Sequence, residues 1–215
     1  MKKFGVLLVL AVVWLTACSR DNGPYNTGVY MLLDTSGTYT NELAQAQKII
    51  NFILARLNPG DAFAVAQVNS ASFSEKDIIR KQTFDDRPSM ANEQKRRYQE
   101  EITKFIKGVK PSSYTDITGG LLQAIEYLNE ANTGRKIVLI FSDLKEELRP
   151  GYVRNIPLQL KGFQVIAVNV TKLHSDNVDP REYMKRLQEW QSKVVAGGGS
   201  WKVINDLERL DPIFE

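Results

Sequence analysis

The sequence predicts an α/β fold, with a mostly parallel sheet and helices on both of its faces. Short apolar runs typical of buried strands alternate along the chain with longer segments whose apolar residues recur at helical spacing. The run KIVLIF at 136–141 is the clearest buried strand. The 215 residues, 43% of them hydrophobic, suffice for one domain with a sizeable core.

Each predicted element is bounded by a change of pattern or by a breaker. Asn58, Pro59 and Gly60, for example, stop the first amphipathic helix. The predicted strands are 28–33, 61–68, 77–84, 136–141, 163–170 and 201–204. The predicted helices are 42–57, 89–107, 119–131 and 180–195. Strands that alternate with helices in this way favour parallel pairing.

The N-terminus has the pattern of an export signal. Lys2 and Lys3 precede an apolar run at 4–15, which is shorter than the ~20 residues that span a bilayer. Cys18, the only cysteine, follows Leu-Thr-Ala and resembles the lipobox cysteine of bacterial lipoproteins. The resemblance implies a signal peptide at 1–17 and a diacylglycerol-modified Cys18. An ordinary signal peptide or a short membrane anchor is the alternative.

A short tether would then connect Cys18 to the domain. We assign 18–28 to the lipidated cysteine and tether, and 29–215 to the folded domain. Ten residues at ~3.3–3.6 Å each reach about 35 Å, so the domain would stay near the membrane. Ser19, rather than an aspartate, follows the cysteine, and the lipoprotein sorting rule then implies the outer membrane, periplasmic face. The formal charge of +3 falls to about +1 without Lys2 and Lys3, so no nucleic-acid partner is indicated.

Acidic and hydroxyl residues follow two of the predicted strands. In YMLLDTSGTYT, Asp34 directly follows the first strand, and Ser36 and Thr38 come two and four residues later. Asp143 follows the strand at 136–141, and Thr115 precedes the helix at 119–131. Ligands of such sheets bind beyond the carboxyl ends of the strands, where we expect these side chains to meet.

This set of residues resembles the metal-ion-dependent adhesion site of von Willebrand factor type A domains, which is written D-x-S-x-S, then a distant Thr, then a distant Asp. The late Gly-Gly-x-Trp stretch at 198–201 resembles the family's C-terminal strand. The resemblance implies a Rossmann-like fold across the domain. It also implies a metal bound by the predicted ligand set Asp34, Ser36, Thr38, Thr115 and Asp143, with the two carboxylates acting directly or through water. Thr38 replaces the commoner serine, and Leu144 stands where the family often has glycine.

The resemblance also implies how the site works. Mg²⁺, or Mn²⁺ or Ca²⁺ in its place, takes oxygen ligands, and a partner protein supplies an acidic side chain to the metal. We therefore predict a non-catalytic, membrane-anchored lipoprotein with a protein partner and no small-molecule substrate.

Other interpretations remain open at this point. Ser36 and Thr38 could merely cap a helix, and Asp143 could merely turn a loop. A metal-independent envelope scaffold would need none of these ligands. A phosphatase of the haloacid-dehalogenase type would use Asp34 as its nucleophile, but Ser36 stands where that chemistry needs a second acid.

Overall fold

The computed structural model describes residues 25–37, 39–69 and 73–215. Its strands are β1 (Thr27–Asp34), β2 (Ala62–Val68), β3 (Ile78–Thr83), β4 (Arg135–Phe141), β5 (Phe163–Val168) and β6 (Ser200–Ile204). Its α-helices are α1 (Leu43–Arg56), α2 (Pro88–Gly108), α3 (Ile117–Glu130) and α4 (Pro180–Ala196). Short 3-10 turns lie at Thr40–Glu42, Glu75–Asp77, His174–Asn177 and Asp211–Ile213.

The six strands form one sheet in the order β3-β2-β1-β4-β5-β6. All neighbours pair in parallel except β3, which runs antiparallel to β2 at the edge. The α/β prediction with a mostly parallel, Rossmann-like sheet is therefore confirmed. Because β1 and β4 are neighbours, Leu33 pairs with Phe141 and both strands end side by side. The residues that follow them are thus placed at one edge of the sheet.

Two layers of helices bury the two faces of the sheet. Alternate residues of β1 point to opposite faces, as the two-residue period of a strand requires. Val29, Met31 and Leu33 pack with the apolar sides of α1 and α2 on the first face. Tyr30 and Leu32 pack with α3 and α4 on the second face. Since every residue from Val29 to Asp34 is buried, the end of β1 is a rigid base for whatever follows it.

Helix α3 lies unusually close to the sheet. A Cβ atom on Gly120 would lie 2.8 Å from Cδ2 of Leu32 and 2.9 Å from Cγ1 of Val68. A larger residue would displace these two side chains, so the glycine lets the N-terminal turn of α3 lie against the carboxyl ends of β1 and β2.

The predicted strand at 163–170 ends two residues earlier than expected. Asn169 has φ of +56°, a left-handed conformation that takes the chain out of the sheet after Val168. Its side-chain Nδ2 donates to Tyr39 Oη and to a Glu42 carboxylate oxygen, both at 3.1 Å. Local apolar pattern could not reveal this distant pairing.

No helix among the described residues has the length and apolar character to cross a bilayer.

Candidate metal centre

Three loops meet at the carboxyl edge of the sheet. The first site loop (35–39) follows β1, the second (109–116) precedes α3, and the third (142–147) follows β4. Backbone hydrogen bonds join the first two, from Ser112 N to Thr35 O at 2.7 Å and from Gly37 N to Ser112 O at 3.2 Å. Thr115 and Glu147 exchange two bonds of 2.9 Å and so join the second loop to the third.

Asp34 is the buried centre of this edge, with no exposed surface. One carboxylate oxygen accepts from Ser36 N at 2.8 Å, and the other accepts from the Ser142 hydroxyl at 2.6 Å. The side chains of Ser36 and Thr115 also hydrogen-bond to it. Burial raises the pKa of Asp34, and these hydrogen bonds oppose the rise. The structure thus brings two predicted hydroxyl ligands to one predicted carboxylate.

Asp143 lies beside Asp34 and is 3% exposed. Its Oδ1 accepts from Lys145 N at 2.9 Å. Burial raises its pKa to about 6; the charge of Asp34 adds to the rise, while Lys145 and Arg186 oppose it. The charge of Asp34 therefore raises the free energy of the ionised form of Asp143, which a cation bound at this edge would lower.

The donor set fits a hard divalent cation. Asp34, Ser36, Thr115 and Asp143 offer only oxygen atoms, which Mg²⁺ prefers. Two carboxylates balance the charge of such an ion formally, and the hydroxyls add neutral ligands. No cluster of three or more acidic, histidine or cysteine side chains suited to a metal occurs in the part of the chain described, so any cation here depends on the hydroxyl groups. Thr38 and Cys18 lie outside the described residues, and their predicted roles stay predictions.

Ser142 is a site residue that the sequence analysis missed. It is fully buried, donates to Asp34, and accepts from Leu144 N at 3.0 Å. The hydroxyl therefore fixes Asp34 and the turn of the third site loop together. The sequence feature that could have identified Ser142 is its position between a predicted buried strand and the predicted ligand Asp143.

Leu144 adopts the conformation that a glycine would favour. Its φ is +65°, which costs a residue with a side chain about 1–2 kcal/mol. The side chain is buried in the second-face core, and Trp190 Nε1 donates to its carbonyl oxygen at 2.9 Å. Packing and this hydrogen bond hold the turn that glycine would reach without strain.

Two ion pairs, each between a buried aspartate and a partly buried arginine, support the loops. Arg154 bonds Asp116 through two nitrogens, at 2.7 and 2.9 Å, and Asp116 also caps α3 by accepting from Gly119 N at 2.8 Å. A Cβ atom on Gly119 would lie 2.5 Å from Asp116 Oδ2, so the cap requires glycine there. Thr115, the neighbour of Asp116, is held in place by this arrangement.

The second pair, Arg186 with Asp176, has two contacts of 2.8 Å, and Arg186 Nε donates to the Asp143 carbonyl oxygen at 3.1 Å. The sequence analysis missed both pairs. Asp116 could have been recognised as a capping residue, because it is an acid directly before the helix that begins at Ile117. No local sequence pattern marked Arg154 or Arg186.

No family model matches the sequence, and no curated protein matches it. Among solved structures, the chain is similar to a von Willebrand factor type A protein from Catenulispora acidiphila, with a TM-score of 0.56, 14% identity, and coverage of 89% of this chain and 41% of that one. It is also similar to the pilus adhesin SpaC of Lactobacillus rhamnosus GG in its open conformation, with a TM-score of 0.52, 9% identity, and coverage of 87% and 29%. A manganese-loaded TRAP protein of Plasmodium vivax matches with a TM-score of 0.41 and 16% identity over 67% of this chain and 58% of that one.

The chain thus spans less than half the length of the first two structures. At these identities the likeness shows the fold, which is that of a von Willebrand factor type A domain.

Proposed function

From this fold we propose that the protein is a membrane-anchored bacterial lipoprotein that binds a partner protein through a divalent cation. The fold alone does not specify a function, because one fold carries many sites. What supports the proposal is the meeting of two buried carboxylates, Asp34 and Asp143, with the hydroxyls of Ser36 and Thr115 at one sheet edge.

The side chains would divide the work as follows. Asp34, held by Ser142, and Asp143, held by Lys145 N, would hold the cation directly or through water. Ser36 and Thr115, with Thr38 by sequence, would contribute neutral oxygens. A bound Mg²⁺ would supply positive charge and a coordination position that a carboxylate of the partner completes. No bond is made or broken, so the proposed role is binding and not catalysis.

The proposed location follows from the N-terminal sequence. Lipidation of Cys18 would attach the chain to the outer membrane on its periplasmic face. The partner would then be another protein of the cell envelope.

The phosphatase alternative is not favoured by the geometry. Ser36 occupies the position of the required second acid, and its N–H donates to Asp34 at 2.8 Å. A serine hydroxyl is a poor proton donor or acceptor near neutral pH compared with a carboxylate. The scaffold alternative makes a different prediction, because it needs no cation.

Metal-dependent capture separates the two non-catalytic alternatives. The full-length chain, immobilised in mild detergent, would be exposed to envelope extract with Mg²⁺ or with EDTA. We expect capture only with Mg²⁺, and we expect Ser36→Ala to abolish it. Ser113→Ala is the matched control, because it removes one hydroxyl from an exposed position of the second site loop. A folded Ser36→Ala protein that captures the same partner normally in EDTA would establish the scaffold alternative instead.

A further inference from the structure

A cleft of about 790 Å³ lies directly beside the candidate metal centre. It is bounded by the end of β2, the 3-10 turn at Glu75–Asp77 and the C-terminal end of α2. Thr35 and Ser112 line it as well. Because these two residues belong to the first and second site loops, the cleft and the centre share a wall.

The lining combines apolar and basic side chains. Ile79, Phe105 and Val109 contribute apolar surface and are partly buried against the first-face core. Lys76, Lys104 and Lys110 also line the cleft and are exposed. Within the described ranges, none of the three lysines forms an ion pair.

The acids of the cleft do not cancel this charge. Glu101 pairs with Arg80 at 3.3 Å. Asp77 is 9% exposed, and the side chains of Asn69 and Gln67 hydrogen-bond to it. Arg80, which lies outside the lining, balances Glu101, so three lysines remain against Asp77 and the cleft is basic overall. An apolar lining under a basic surface is complementary to a segment that carries both acidic and apolar side chains.

We propose that this cleft holds an acidic segment of the partner protein that also carries one or two large apolar side chains. The inference rests on the proposed function, because the same segment would place a carboxylate at the metal centre across the shared wall of Thr35 and Ser112. The cation would select a carboxylate, and the cleft would select the residues beside it. Partner specificity thus lies on the β2 side of the site.

The test uses the full-length chain in mild detergent and a fluorescein-labelled peptide, Asp-Glu-Phe-Leu-Asp-Glu, measured by fluorescence anisotropy with Mg²⁺ or with EDTA. One variant combines Lys76→Glu, Lys104→Glu and Lys110→Glu. The matched control combines Lys48→Glu, Lys107→Glu and Lys185→Glu, which are also exposed, lie outside the cleft and change the net charge by the same amount.

We expect the cleft variant to bind the peptide at least about tenfold more weakly than the control variant, with the difference shrinking at high salt. A peptide with serines in place of Phe and Leu should also bind more weakly. The difference in peptide affinity between the two triple variants should persist in EDTA. The contribution of the metal is measured separately, as the loss of affinity caused by EDTA or by Ser36→Ala.

Each contrary result has a distinct meaning. Equal loss in the two triple variants, or no peptide binding by the wild-type chain, would overturn the cleft proposal. Peptide binding that depends on Mg²⁺ and Ser36 but not on the cleft lysines would overturn it while leaving the metal site intact. Binding that depends on the lysines but not on Mg²⁺ would support the cleft and count against the proposed function.

Discussion

Ser142 donates its hydroxyl hydrogen to Oδ2 of Asp34 at 2.6 Å, between the ends of two adjacent strands. The hydroxyl oxygen of Ser142 in turn accepts from Leu144 N at 3.0 Å. One hydroxyl thus joins the first carboxylate of the centre to the loop that carries the second. This contact between Ser142 and Asp34 links the ends of β1 and β4 to the candidate site, and the first prediction tests it.

Ser142→Ala should lower both stability and metal affinity. The change leaves Leu144 N without its partner and removes one hydrogen bond from Asp34, at a cost of about 1–3 kcal/mol. Thermal unfolding of the full-length chain, with and without Mg²⁺, measures both effects. Ser113→Ala, at an exposed position, is the control and should change little. Equal unfolding temperatures for wild type and Ser142→Ala would contradict the role assigned to Ser142.

Mg²⁺ or Mn²⁺ should raise the unfolding temperature of the protein. A ligand that binds only the folded state stabilises it by about 2.7 kcal/mol at a hundredfold excess over Kd. Asp34→Ala and Thr115→Ala should remove the rise, because each deletes a predicted ligand. A rise that survives Asp34→Ala would show that the ion binds elsewhere.

Asp143→Asn should stabilise the metal-free protein at neutral pH. Burial raises the pKa of Asp143 to about 6 in the folded state, so folded protein binds its proton more tightly than unfolded protein does. The free energy of unfolding should therefore fall as the pH rises from about 4 to about 6, by at most about 3 kcal/mol for a shift of about two pKa units.

The asparagine variant keeps an oxygen for Lys145 N but carries no charge, so its unfolding should vary less over this pH range. Unfolding curves at pH values on either side of this range, in metal-free buffer, measure the difference. A wild-type protein whose stability rises with pH over that range, with the variant showing the same slope, would refute this account. Added Mg²⁺ should stabilise the wild type and not the variant.

Leu144→Gly should be no more destabilising than Leu144→Ala. Both lose a buried side chain, at a cost of about 2–5 kcal/mol, but glycine adopts a φ of +65° without strain. Leu121, buried in α3, is the matched control, since glycine in a helix costs about 1 kcal/mol more than alanine. Chemical denaturation of the four variants gives the comparison. The same ranking at both positions would show that backbone strain at Leu144 is unimportant.

Cys18→Ser should release the protein from the membrane. If the thiol is acylated, the substitution removes the attachment point and abolishes incorporation of labelled fatty acid. Cell fractionation and metabolic labelling measure the two effects, with Ser19→Ala as the control. Unchanged labelling of the serine variant would refute the lipoprotein assignment.

Most of the fold could be predicted from sequence patterns within single segments. The apolar runs at 28–33 and 136–141 predicted central strands because such short runs are stable only when covered on both sides. That prediction in turn placed Asp34 and Asp143 at the same edge, since parallel strands share their carboxyl ends. Metal ligation by these residues stays a prediction.

The supporting residues were beyond the reach of such patterns. Arg154 reaches Asp116 from 38 residues away, and Arg186 reaches the Asp143 carbonyl from 43 residues away. Contacts of this kind depend on the path of a long connection and on the packing of α4, neither of which leaves a periodic signal. The cleft also escaped notice, because it is built from chain segments that only the strand order brings together.

The direction of β1 places the entry of the chain into the sheet and the candidate site at opposite ends of one strand. The described chain enters the sheet at Thr27, whose N–H donates to Asp61 Oδ1 at 2.7 Å, and reaches the site seven residues later at Asp34. At ~3.3 Å per residue, about 23 Å separates the two ends of that strand. An attachment at Cys18 would therefore join the domain at the Thr27 end of β1, and the candidate site would lie at the other end of that strand. A lipid anchor and a bound partner would then act at opposite ends of the same buried strand.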